Sequence, residues 1–286
     1  MMSLATSVAT RTQRAQIAVA AGVLVASWLL ALVPARLDYN GYDAGWIAAV
    51  VQLMAAYLVL SQLFQLHSPA IAVIAAGYVF QVIATTLPIF MISEHFVRPV
   101  SLEQTIRAHD WLSTLSHFTF LLFFVVYALF DNYLEHIKLT VVQSFATAVL
   151  ITLGGFVLAV VAGIVAIAWE GTLSGVFGVS GLHLDAAGSG VPMLTCALAA
   201  ATLVMFVYAT RLRTLTQLFL ALGLLAMVLA DASRWLTGED HHTMAWALAQ
   251  WLQIASAAAI PILYVFELHW VYARLAHLTH IHCGEA

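Results

Sequence analysis

Long uncharged apolar runs, separated by short polar breaks, fill nearly the whole chain. Eight of them are of about the length that carries a helix across a hydrocarbon core, roughly 20 residues. They cover residues 17–34, 44–65, 69–92, 111–130, 142–169, 192–210, 214–236 and 243–268. The apolar positions follow one another without the ten-residue alternating segments of an outer-membrane barrel. In lipid, a spanning segment must satisfy its own N–H and C=O groups, so each run predicts a helix. The pattern thus predicts an all-α integral membrane protein: a bundle of eight transmembrane helices, with both termini cytoplasmic. Residues 1–16 form a cytoplasmic N-terminal segment, 17–268 the membrane domain, and 269–286 a cytoplasmic helical tail.

Composition strengthens this reading. Of the 286 residues, 63% are hydrophobic and 8% are charged, against about 25% charged in soluble chains. The mean hydropathy is +0.96. The first run follows Arg11 and Arg14 like a signal peptide, but it is longer than a typical h-region and reads as a retained helix. With the N-terminus inside, Arg11, Arg14, Lys138, Arg211, Arg213 and Arg274 fall on the inner face. Arg36, Arg98, Arg107 and Arg234 fall outside, together with most of the acids. This is a weak positive-inside bias. Two long connections also fall outside, 93–110 and 170–192. The net charge of −4 argues against nucleic acid as a partner. The two cysteines, Cys196 and Cys283, make no disulfide framework.

Candidate chemistry lies in the polar residues at membrane depth, which are expensive there and point to function. The third run carries Gln81, Thr85, Thr86 and Pro88, and the fourth opens "HDWLSTLSH". The seventh ends with Asp231 and Arg234, an i,i+3 pair able to form a salt bridge. The eighth follows His241 and His242 and carries Gln250, Gln253 and Ser256. These residues predict a polar pocket open to the outer side. His109 and His117 stand about 12 Å apart along one helix, pointing about 80° apart, so they do not share one metal ion. His117 is the interior contact, with Trp111, Ser113, His109 and Gln250 as further lining. Twelve histidines leave two metal readings open. One is a divalent metal at His95, His109, His241 and His242; the other is haem b with His117 as an axial ligand. The only lysine, Lys138, lies between runs, which removes a retinal Schiff base. No catalytic motif is present, so the chain does not read as an enzyme.

Residues 62–127 resemble a known family. "GYVF" at Gly77–Phe80, Pro88 beyond it, Trp111 and His117 before an apolar run, and "YAL" at Tyr127–Leu129 are similar to the fourth type of membrane-associated sensor domain, the MASE group, of bacterial signalling proteins. The resemblance implies an input domain in the bacterial inner membrane, usually fused to a diguanylate cyclase or histidine kinase in cyclic di-GMP or phosphorelay signalling. The last helix would transmit the signal, with Glu267, Tyr272 and Leu275 in it. Leu268, Tyr272, Leu275 and Leu278 stand in approximate heptad spacing, which suits a homodimer. A haem- or metal-binding redox protein and a small-molecule transporter remain as alternatives.

Overall fold

In the computed structural model, residues 10–31, 42–92, 102–134, 137–168, 190–237 and 244–284 are described. They form eight helices: α1 (Arg11–Ala31), α2 (Tyr42–Leu66), α3 (Pro69–Ile92), α4 (Leu102–Leu134), α5 (Val141–Ala168), α6 (Gly190–Thr210), α7 (Leu215–Thr237) and α8 (Met244–Gly284). Seven of these, α2 to α8, are long and apolar enough to cross a membrane. The described residues are all-helical in their regular structure, and the protein is a multi-pass membrane protein. The helix α1 is not among the seven; Arg11, Gln13, Arg14 and Gln16 dilute its first turns.

Two boundaries depart from the hydrophobic pattern. The connection expected over 93–110 is helical from Leu102, so His109 and Asp110 lie within α4. The segment "LEQTIRAHD" holds no glycine or proline to stop a helix, and hydropathy marks lipid depth rather than helix extent. At the other extreme, α8 runs unbroken from Met244 to Gly284, although its apolar span ends at Leu268.

Side-chain contacts fix the antiparallel arrangement. The end of α2 meets the start of α5, where His67 Nδ1 and Ser144 Oγ are 2.8 Å apart. The end of α4 meets the start of α7, where Gln217 Nε2 donates to Asp131 Oδ2 at 2.7 Å. Both contacts lie at the end where the odd-numbered helices begin, here called basal. The opposite, apical end joins α1 to α7 through Trp28 Nε1 donating to Ser233 Oγ at 2.8 Å.

Three odd-numbered helices start alike. Thr10, Thr140 and Thr214 each accept the amide N–H of the glutamine three residues on, and that glutamine's Oε1 accepts the threonine's N–H. These are capping boxes, satisfying two otherwise orphaned donors reciprocally. Gln217 accepts from Arg213 N as well, and its amide group holds Asp131. At the end of α2 a non-glycine residue takes the left-handed position: His67 has φ 51° and donates its N–H to Leu63 O. Its carbonyl accepts from Leu139 N at 2.7 Å, so that residue welds α2 to the approach of α5.

The core is built on close helix approaches. A Cβ added to Gly77 on α3 would lie 3.0 Å from Phe123 Cβ on α4. One added to Gly223 on α7 would lie 3.1 Å from the Ser256 carbonyl and 3.2 Å from Ala259 Cβ on α8. Beside the first contact runs an aromatic chain, Tyr78, Phe120, Phe124, Phe206 and Tyr127, with centroid distances of 5.0–5.9 Å. Edge-on and offset pairs of this kind add stability beyond the area they bury. By contrast α5 turns Phe145, Leu150, Leu153, Phe156, Val157 and Ile164 outward, as a lipid-facing helix does.

The Gly77 contact yields a test. Gly77→Val should destabilise the fold by about 1–3 kcal/mol, the usual penalty of overpacking. Gly154→Ala, with nothing within 4 Å of the added Cβ, should not destabilise. Thermal unfolding of both variants in the same detergent measures the difference.

Candidate functional site

His117 and Asp231 form the centre of the site. His117 lies one turn into the apolar span of α4, which opens at Thr114, and Asp231 five residues from the end of that of α7, Leu236. Both helices therefore deliver these side chains to one level near the apical end. His117 is 7% exposed and Asp231 2%. His117 Nε2 is 3.1 Å from Asp231 Oδ2. With an ionised carboxylate, the ring nitrogen must be the donor, whether the imidazole is neutral or charged. A carboxylate this deep needs such a partner, because an unpaired buried charge is costly. It reaches across the bundle to His117, although Arg234 stands one turn along its own helix. The partner that His117 required is thus 114 residues away in sequence.

Other polar residues gather at the same level. Ser233, fully buried, accepts from Trp28 and donates to the Leu229 carbonyl at 2.9 Å. Ser116 is buried beside His117 in sequence. Cys196 on α6 is a free thiol, with Sγ 4.0 Å from the Val228 carbonyl. Gln250 is half-buried. It lies six residues apical of Ser256, while Asp231 lies eight residues apical of Gly223, the glycine packed on Ser256. At 1.5 Å per residue these distances agree within about one turn. Four helices, α1, α4, α6 and α7, bring polar side chains to this level, and α8 adds Gln250.

The remaining expected residues divide clearly. The threonines of α3 do not line a site through their hydroxyls: Thr85 donates to the Gln81 carbonyl and Thr86 to that of Val82, both at 2.8 Å. Those groups are satisfied within their own helix, as intrahelical bonding of threonine allows. Trp111, Ser113 and His109 lie on α4 at the apical end, with side chains outside the described residues. His95, His241 and His242 also lie outside the described residues. Among the described residues, no group of three or more His, Cys, Asp or Glu is placed to hold a metal ion. For haem, the chemistry is restrictive: Asp231 engages His117 Nε2, leaving only Nδ1 free of that carboxylate.

A second polar cluster joins α2 to α8 at the basal end. Tyr264 Oη donates to the Leu58 carbonyl at 2.9 Å, and Ser61 Oγ lies 3.4 Å from the same hydroxyl. Glu267, one turn beyond Tyr264, is half-buried, and its Oε1 has no hydrogen-bond partner. Tyr272 and Leu275 continue along α8, with side chains outside the described residues.

Sequence reasoning missed Trp28, Ser233 and the Asp131–Gln217 contact. A signal for the last was present, since "TLTQ" repeats the Thr-x-x-Gln spacing of "TRTQ" and "TVVQ". Several residues that carry the family resemblance are core: Gly77 is a close approach of α3 to α4, and Tyr78, Phe80, Tyr127 and Ala128 are buried, whereas Leu129 is exposed. Compared with known proteins, the chain matches no family model and no curated protein.

Breaking the central pair has a defined consequence. His117→Ala strands a buried carboxylate and should cost about 3–5 kcal/mol. Asp231→Asn keeps a polar partner for the ring and should cost less. A double-mutant cycle over His117→Ala and Asp231→Ala, followed by unfolding in detergent, should return a coupling of at least about 1 kcal/mol. Simple additivity would contradict a direct interaction.

Proposed function

We propose that this protein is a sensory input domain of the bacterial inner membrane, with its stimulus-sensitive element at the apical end and its readout in α8. The single observation that carries the proposal is the buried His117–Asp231 pair, which ties α4 to α7 across the bundle. The apical ends of two helices held by this contact have two natural arrangements, joined and parted, while the Asp131–Gln217 contact ties their basal ends. A ligand or ion that takes the place of one side chain in this contact favours the parted one. It does so only to the extent that its affinity differs between the two.

The packing offers a route from that contact to the basal end. The helix α7 carries Asp231 and packs on α8 with backbone-level closeness at Gly223 and Ser256. A displacement of α7 therefore moves α8. Past the end of its apolar span α8 continues for sixteen residues, to Gly284, about 24 Å of helix. A helix that continues beyond its apolar span suits transmission to an output such as a diguanylate cyclase or histidine kinase. The resemblance of residues 62–127 to the MASE group supports the same reading. In that topology the basal end is cytoplasmic. Glu267, beside the Tyr264 contact, stands one residue before the end of the apolar span of α8.

The test measures the readout directly. Full-length protein in lipid nanodiscs is spin-labelled at Val142→Cys on α5 and Leu275→Cys on α8, and electron–electron distances are compared with and without Asp231→Asn. The distribution should shift by about 2 Å, the size of helix displacements in switching proteins. Identical distributions would overturn the proposal. The haem alternative is settled by an absorption spectrum of the purified protein: no Soret band that depends on His117 is expected. A band abolished by His117→Ala would replace this reading with a haem-binding one.

A further inference from the structure

The exposed tyrosines and tryptophans of the described residues mark the membrane boundaries, with one exception. Trp235 lies one residue from the end of the α7 span, Tyr208 two residues from the end of the α6 span, and Trp251 four residues from the start of the α8 span. These are the interfacial belts, where an amphipathic ring has lipid on one side and water on the other. Tyr57 breaks the pattern. It is 70% exposed, yet it stands ten residues from Ile47 and nine from Leu66, the two ends of the α2 span.

That position leaves the phenol without a partner. Nine residues are about 13 Å of helix, farther than the ring reaches. Helical side chains also lean toward the N-terminus, which on α2 means toward the middle of the span and away from the nearer boundary. Among the described residues, no hydrogen bond to the Tyr57 hydroxyl is present. Outward-facing threonines solve the same problem by bonding to their own helix: Thr119 to the Leu115 carbonyl and Thr152 to that of Ala148. A tyrosine hydroxyl stands too far from its own backbone for that. In hydrocarbon an unsatisfied polar group costs free energy that a protein contact recovers.

We propose that the Tyr57 face of α2 is the contact through which two copies of this chain associate in the membrane. A phenol is donor and acceptor at once, so two Tyr57 hydroxyls satisfy each other across a two-fold axis. No second type of polar group is required. The flanking exposed residues Ile47, Val50 and Met54 recur with Tyr57 at three- and four-residue spacing, and Phe64 follows seven residues on, a pattern that side-by-side helices interdigitate. None of them is charged, so nothing on this face opposes a like copy. The outward face of α5 is larger, but its exposed residues are apolar apart from the capping Gln143 and Thr152, which bond at their own helix, so lipid covers it without a partner. This dimer differs from pairing of the α8 extension, which would leave the Tyr57 hydroxyl in lipid.

The experiment uses full-length protein in liposomes, with Cys196 and Cys283 replaced by serine. Single cysteines at Met54→Cys and Leu150→Cys are oxidised with copper phenanthroline. A disulfide-linked dimer should form from position 54 and not from position 150. Photobleaching of singly labelled protein should show two steps per spot. Tyr57→Phe should raise the dimer dissociation constant about fivefold, the effect of one interhelical hydrogen bond. Tyr57→Phe keeps the exposed ring, so the fold survives it. Single-step bleaching, cross-linking at position 150 alone, adducts only with other membrane proteins, or a Tyr57→Phe dimer of unchanged affinity would each overturn the proposal.

Discussion

Inside a bilayer every polar group must find its partner within the protein, and much of this structure follows from that constraint. Three of the helix starts at the basal end are closed by threonine and glutamine. Threonine hydroxyls on lipid-facing and core-facing surfaces bond back to their own helices. Asp231, the most deeply placed carboxylate, draws His117 across the bundle. The same rule makes Tyr57 informative, because the outward-facing Thr119 and Thr152 obey it and Tyr57 does not.

The buried aromatic chain and the close approach at Gly77 make α3 and α4 one packed unit, with α6 joined through Phe206. The glycine contact at Gly223 makes α7 and α8 another. His117 belongs to the first unit and Asp231 to the second. Their contact at the apical end and the Asp131–Gln217 contact at the basal end are polar struts between the two. Packed cores shift between discrete arrangements rather than deforming smoothly, so changes at one strut act on whole helices.

The helical type and the approximate positions of the described helices were legible in the sequence because spanning helices need long apolar runs, and α3, α5 and α6 begin and end within two residues of theirs. The start of α4 was not, since residues 102–110 are polar yet helical, and hydropathy reports solvent rather than backbone. His117 was recognisable as a residue that needs a partner. The identity of that partner was not, because it depends on which helices are neighbours. The caps at Thr10, Thr140 and Thr214 were written in the sequence as a repeated spacing. Tyr57 is the opposite case: one tyrosine in an apolar run says nothing until the outward face of the helix is known.

The capping boxes use glutamine where glutamate would serve the same geometry. An amide neither gains nor loses a proton, and its hydrogen bonds do not weaken as counterions accumulate. The starts of α1, α5 and α7 are therefore closed by groups indifferent to acidity and ionic strength. The ties between helices are not so insulated: an imidazole and a carboxylate meet at the apical end, and Asp131 and His67 hold the basal one. Each helix thus keeps its own beginning under conditions that alter how it is joined to its neighbours.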